Sequence, residues 1–131
     1  MRRILAFGIA GTIGFVVDAG VLTALVEKGG INPYAGRVVS FLAAATTTWW
    51  INRRYTFAVT HPPTSSEWSR YVGLMIFGAI VNYGAYALCI TFWDLARQNL
   101  WLAVALGSVS GLGINFLTSK ALFLRTSERA R

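Results

Sequence analysis

Four long apolar stretches, at residues 4–26, 34–51, 71–93 and 100–117, divide this 131-residue chain. Each lies near the roughly 20 helical residues needed to cross about 30 Å of hydrocarbon. Inside lipid a backbone has to satisfy its own hydrogen bonds, which a helix does and an open strand does not. The pattern therefore predicts an all-α membrane protein with four transmembrane helices. Glycines within the stretches agree with this, because membrane helices place small residues where their backbones meet.

The pattern also repeats. Shifted by 67 residues, the first half lies on the second without a gap, pairing Arg3 with Arg70, Ile9 with Ile76, Gly11 with Gly78, Ile13 with Ile80, Asn32 with Asn99 and Arg53 with Lys120. In the second stretch Gly36, Ser40, Ala44, Thr48 and Asn52 recur every four residues. Ala103, Gly107, Gly111, Asn115 and Ser119 occupy the same places in the fourth. Residues four apart form a ridge along a helix, and a ridge of small side chains lets another helix approach closely. The halves, 3–57 and 70–124, are thus expected to be two helical hairpins joined by the loop 58–69. Two crossings return the chain to its starting side, so the halves share one orientation and relate by a pseudo-twofold axis along the membrane normal.

Composition strengthens the membrane reading. Hydrophobic residues make up 55% of the chain and charged residues 13%, with a mean hydropathy of +0.53, too little polar material to cover a soluble globule. A net charge of +7 on a soluble domain would suggest nucleic acid, but the apolar runs exclude that partner here. The basic residues instead give orientation. Arg2, Arg3, Arg53, Arg54, Arg70, Lys120, Arg125, Arg129 and Arg131 collect on the side that holds both termini and the central loop, against Lys28, Arg37 and Arg97 on the other. The positive-inside rule then places both termini in the cytoplasm and the protein in the cytoplasmic membrane. The first stretch resembles a signal sequence, but its length, its three successors and the presence of Asp18 favour retention.

Little in the chain supports catalysis. The only two aspartates, Asp18 and Asp94, lie far apart, no serine or threonine has a nearby histidine base, and there is no glycine-rich phosphate loop with its lysine. No metal or other cofactor is expected: Cys89 stands alone, and His61, beside Pro62 and Pro63, is expected to be a solvated loop imidazole. The informative polar groups lie within the spans. Asp18 and Arg37 fall in the outer half, about 7 Å apart in depth at 1.5 Å per residue, and each needs a partner because burying a lone charge costs at least about 2.5 kcal/mol. An ion pair between them is expected. Thr48, Asn52, Asn82, Asn115 and Ser119 extend this intramembrane polar set.

The motifs "LAFGIAGTIGFVVDAGVLTAL", "INRRYTF", "RYVGLMIFGAIVN" and "INFLTSKALF", in that order and spacing, resemble the GtrA-like family of small four-helix membrane proteins over nearly the whole chain. One departure stands out. Thr48 and Trp49 occupy the positions where the family's first half commonly carries Asn-Phe, while Asn115 and Phe116 keep that pattern in the second half. The resemblance implies the handling of polyprenyl-phosphate sugars, either as a translocator for cell-surface polysaccharide synthesis or as a membrane anchor beside a glycosyltransferase. Arg3, Arg53, Arg54, Arg70 and Lys120 would then ring the cytoplasmic headgroup level as phosphate-binding cations. A multidrug-type exporter of similar size would want an acid near the middle of its first helix, which Asp18 matches poorly. Four helices hardly enclose a sugar-sized passage by themselves, so a homo-oligomer, dimer or tetramer, is expected.

Overall fold

The computed structural model describes residues 1–131, and its only regular elements are helices. Helix α1, Arg2–Thr23, continues into a wider π-helical turn, Ala24–Lys28. Helix α2, Pro33–Ile51, continues in the same way through Asn52–Thr56. Helix α3 spans Ser65–Phe92, the short α4 spans Asp94–Gln98, and α5 spans Leu100–Arg129.

The helix starts follow local chemistry. The Asn32 side chain accepts from the Tyr34 amide at 2.8 Å and Pro33 supplies a preset φ at the first helical position. Thr64 caps α3 by accepting from the Glu67 amide at 3.1 Å. Gly30, at φ +62°, takes the left-handed conformation that lets the chain turn from α1 toward α2.

Three helices, Arg2–Lys28, Ser65–Phe92 and Leu100–Arg129, are long and apolar enough to cross a membrane. The expected second span, α2, is outside this set: its 19 residues include Arg37, Ser40 and three successive threonines. Apolar side chains are exposed to a degree foreign to a water-soluble fold. Only 21 of 131 residues are buried, while Ile4, Leu5, Phe15, Val16, Ile80, Leu88, Trp101 and Val109 lie exposed on the outer faces. Ser40, Asn52, Arg53, Glu67 and Ser119 are enclosed beside buried apolar residues such as Phe7, Tyr71 and Phe123. A chain that hides polar groups and shows apolar ones is built for a hydrocarbon solvent.

α1 packs against α2, and α3 against α5, as two antiparallel pairs. Contacts follow the small-residue ridges: Gly36, Ser40 and Asn52 on α2 and Ala103, Gly107, Gly111 and Ser119 on α5 are buried. A Cβ placed on Gly107 would sit 2.6 Å from the Asn82 carbonyl oxygen, so α3 and α5 meet there at a distance only glycine permits.

The pairs join at the end that carries both termini. Phe7, Trp49, Phe57, Tyr71 and Phe123 form one buried cluster drawn from both halves. Phe57 stacks on Phe123 with centroids 5.1 Å apart, and Phe7 meets Phe116 edge-on at 5.4 Å. Tyr71 hydroxyl accepts from Asn52 Nδ2 at 3.0 Å and donates to Thr48 Oγ1 at 3.2 Å, and Trp68 Nε1 donates to Thr46 Oγ1 at 2.9 Å, tying α3 to α2.

Candidate functional site

Between the two pairs, beyond this aromatic seal, lies a cleft of about 380 Å³. Asp18, Arg37, Thr48, Asn82 and Asn115 all line it, so five of the seven residues of the expected intramembrane polar set share one space. Asn52 and Ser119 do not. Both are enclosed beneath the cleft, where Asn52 bonds Tyr71 and Thr56.

Asp18 and Arg37 form an ion pair, with Arg37 Nη1 2.5 Å from Asp18 Oδ2. The pair closes α1 on α2. It is asymmetric, since the aspartate side chain is 17% exposed and the arginine 57%. Arg37 therefore keeps donors free at the cleft surface. Asp18 Oδ1 and Asn115 Oδ1 are buried acceptors without partners. Asn115 is admitted by Gly78, where any Cβ would lie 1.7 Å from Asn115 Oδ1. In the other half Thr48 lies against Gly14, with its Cγ2 2.4 Å from a Cβ placed there. The cleft thus presents one guanidinium at its surface, with two unsatisfied carbonyl-type oxygens enclosed just behind its lining.

The expected ring of phosphate-binding cations divides in two. Arg3, Arg54, Arg70 and Lys120 are exposed, with Arg54 over the Tyr55 ring at 5.9 Å from its centroid. Arg53 departs from the expectation. Its side chain is 8% exposed, and its Nε donates to Glu67 Oε1 at 2.7 Å. Trp49 Nε1 donates to the same oxygen at 3.0 Å, and Arg53 Nη2 bonds the His61 carbonyl oxygen and contacts His61 Nδ1 at 3.0 Å. The guanidinium is spent inside the protein. The backbone here is a π-helical turn, whose Phe57 amide bonds Asn52 O, five residues back, at 2.9 Å, and within it Arg53 faces inward to Glu67 while Arg54 faces out.

His61 is likewise not the solvated loop imidazole expected. Its side chain is 11% exposed, with Nε2 3.5 Å from Glu67 Oε2. Glu67 itself was not singled out from the sequence. Its one signal is the Thr64-Ser-Ser-Glu67 spacing of a capping box, in which the glutamate normally turns back to the cap; here the carboxylate faces α2. No group of three or more His, Cys, Asp or Glu side chains is placed to hold a metal.

A helical chain with apolar outer faces, three membrane-length helices and a polar cleft between two hairpins is a multi-pass membrane protein. Residues 6–124 match the family described as GtrA/DPMS, transmembrane domain, and the chain belongs to it. Membership connects the chain to the handling of lipid-linked sugars. No solved structure matches the chain.

Proposed function

We propose that the protein carries a polyprenyl-phosphate-linked sugar across the cytoplasmic membrane for cell-surface polysaccharide synthesis. The observation that carries this reading is the cleft shared by Asp18, Arg37, Thr48, Asn82 and Asn115 at the boundary between the two hairpins. A phosphodiester charge and sugar hydroxyls are costly to strip of water, so spontaneous crossing is very slow. The cleft supplies what those groups lose: Arg37 for the phosphate and, once the hairpins part enough to uncover them, Asp18 Oδ1 and Asn115 Oδ1 as acceptors for hydroxyls. The prenyl chain stays outside, against the apolar faces.

In this reading α2 crosses with α1, to which the ion pair fastens it, and both termini lie in the cytoplasm. The halves relate as parallel repeats, with the substrate at their boundary, as in transporters built from such repeats. The aromatic seal then closes the cytoplasmic end. The exposed Arg3, Arg54, Arg70 and Lys120 stand at the headgroups on that side and gather the anionic lipid. The protein is a carrier rather than an enzyme, acts as a homo-oligomer, dimer or tetramer, and requires no cofactor.

The test is reconstitution in liposomes with a polyprenyl-phosphate sugar, scored by the access of an impermeant reagent to each leaflet. The wild-type protein accelerates transbilayer movement, while Asp18→Asn and Arg37→Gln lower the rate at least tenfold. Movement at the rate of protein-free vesicles would refute transport. It would favour the second reading, a scaffold that positions a membrane glycosyltransferase.

A further inference from the structure

A second groove, about 470 Å³, lies outside the cleft between the first turns of α3 and the last turns of α5. Arg70 on α3 and Arg125 and Arg129 on α5 line it, with Thr118, Thr126 and Leu122. Residues 118, 121, 122, 125, 126 and 129 follow helical spacing, so they form one stripe along α5. None of the three arginines takes part in a salt bridge, unlike Arg37, Arg53 and Arg97. Gly73 opens the opposite wall, since a Cβ there would meet nothing within 4 Å.

Depth points to the occupant. α5 has 30 residues, and at 1.5 Å per residue it runs about 45 Å, longer than the roughly 30 Å of hydrocarbon. The apolar part begins at Leu100, so the excess lies at the arginine end, in the headgroup layer. Leu74, Ala121 and Leu122 continue the groove toward the hydrocarbon. Thr126, between Arg125 and Arg129, adds a second requirement. Its Oγ1 donates to Leu122 O at 2.6 Å, so the hydroxyl proton is engaged and only acceptor capacity is left. Guanidiniums hold a phosphate, and that oxygen accepts from a hydroxyl beside it.

We infer that this groove binds a glycerophospholipid whose phosphodiester headgroup carries hydroxyls, a resident lipid distinct from the transported one, held by Arg125 and Arg129 with Arg70 on the facing helix. Basic pockets between membrane helices are a recurrent form of headgroup site. The inference rests on the reading that α3 and α5 cross the membrane with this end at a headgroup layer, and it does not depend on transport through the cleft.

The experiment measures lipid retention by the full-length protein in detergent, by native mass spectrometry, with phosphatidylglycerol as probe and phosphatidylcholine and glycerol 3-phosphate in parallel. Phosphatidylglycerol is retained over both. Arg125→Gln/Arg129→Gln lowers its affinity about tenfold more than Arg2→Gln/Arg131→Gln, which removes the same charge elsewhere. Arg125→Lys/Arg129→Lys restores only part of the loss, because lysine lacks the two-pronged donor geometry. Equal losses in the two Gln pairs would reduce the site to diffuse charge, and equal affinity for glycerol 3-phosphate would make the ligand a soluble phosphate; either result overturns the proposal. If the α5 pair does not fold, Arg70→Gln is read against Arg2→Gln by the same measurement. Retention is scored without transbilayer movement, so failure here and failure of transport are separate results.

Discussion

Replacing Glu67 with glutamine tests whether the buried ion pair organises the end of the molecule that carries the termini. The two side chains are nearly the same shape, so the change removes charge and leaves packing in place. In the native protein Glu67 Oε1 accepts from Arg53 Nε at 2.7 Å and from Trp49 Nε1 at 3.0 Å, and the glutamate side chain is 1% exposed. Hydrogen bonds to a charged group contribute about 1.5–3 kcal/mol against about 1 for neutral ones, so two weakened bonds cost about 2 kcal/mol. The Arg53 charge also becomes uncompensated in a site where its side chain is only 8% exposed. Removing one partner of a buried pair costs about 3–5 kcal/mol, and an isosteric change belongs at the lower end, about 3 kcal/mol. The measurement is equilibrium unfolding of the full-length protein in mixed micelles, followed by helix circular dichroism and tryptophan fluorescence, since Trp49 reports on the site directly. The companion Arg53→Met/Glu67→Leu removes both charges and should recover stability to within about 1 kcal/mol of wild type. A Glu67→Gln loss below about 1 kcal/mol, or a double variant weaker than the single, would refute the reasoning.

Three further outcomes follow from the same structure. Tyr71→Phe leaves Asn52 Nδ2 without its acceptor in a buried site and should cost about 1–3 kcal/mol in the same unfolding assay. Gly107→Ala forces α3 and α5 apart at the Asn82 carbonyl and should cost about 1–3 kcal/mol, while Gly73→Ala, facing open space, should change stability by less than about 0.5 kcal/mol. Asn115→Ala removes an acceptor that has no partner in the protein, so stability should move by less than about 1 kcal/mol while liposome transport falls at least tenfold; a stability loss without a transport loss would make Asn115 a packing residue.

The residues that were legible in advance were those whose position along a helix decides their surroundings. Asp18 and Arg37 flank one connection, and any antiparallel hairpin brings them to similar depth, so their pairing followed from rise per residue and the cost of a lone charge. The ridge from Ala103 to Ser119 was readable for the same reason, because spacing by four puts small residues on one line and only a neighbouring helix makes use of it. Glu67 and His61 were not legible. Nothing local distinguishes a glutamate in a first helical turn that faces solvent from one that turns to another helix, and a histidine beside two prolines reads as loop in either case.

The sequence by itself determined that the chain is helical and membrane-embedded, where its hairpins turn, and which small residues let the helices meet, because these depend on hydropathy and on a fixed helical period. Tertiary structure decided the fate of the polar groups. Arg53 and Arg54 are neighbours in an apparently uniform basic pair, yet one is enclosed against Glu67 and the other stands free at the surface. The choice was made by the approach of α3, which brings Glu67 to Arg53, and which face of a helix another element covers lies outside what side-chain periodicity encodes. The division of the polar set into a cleft and a seal has the same origin: it depends on how two hairpins lean together, which is settled by contacts between residues far apart in the chain.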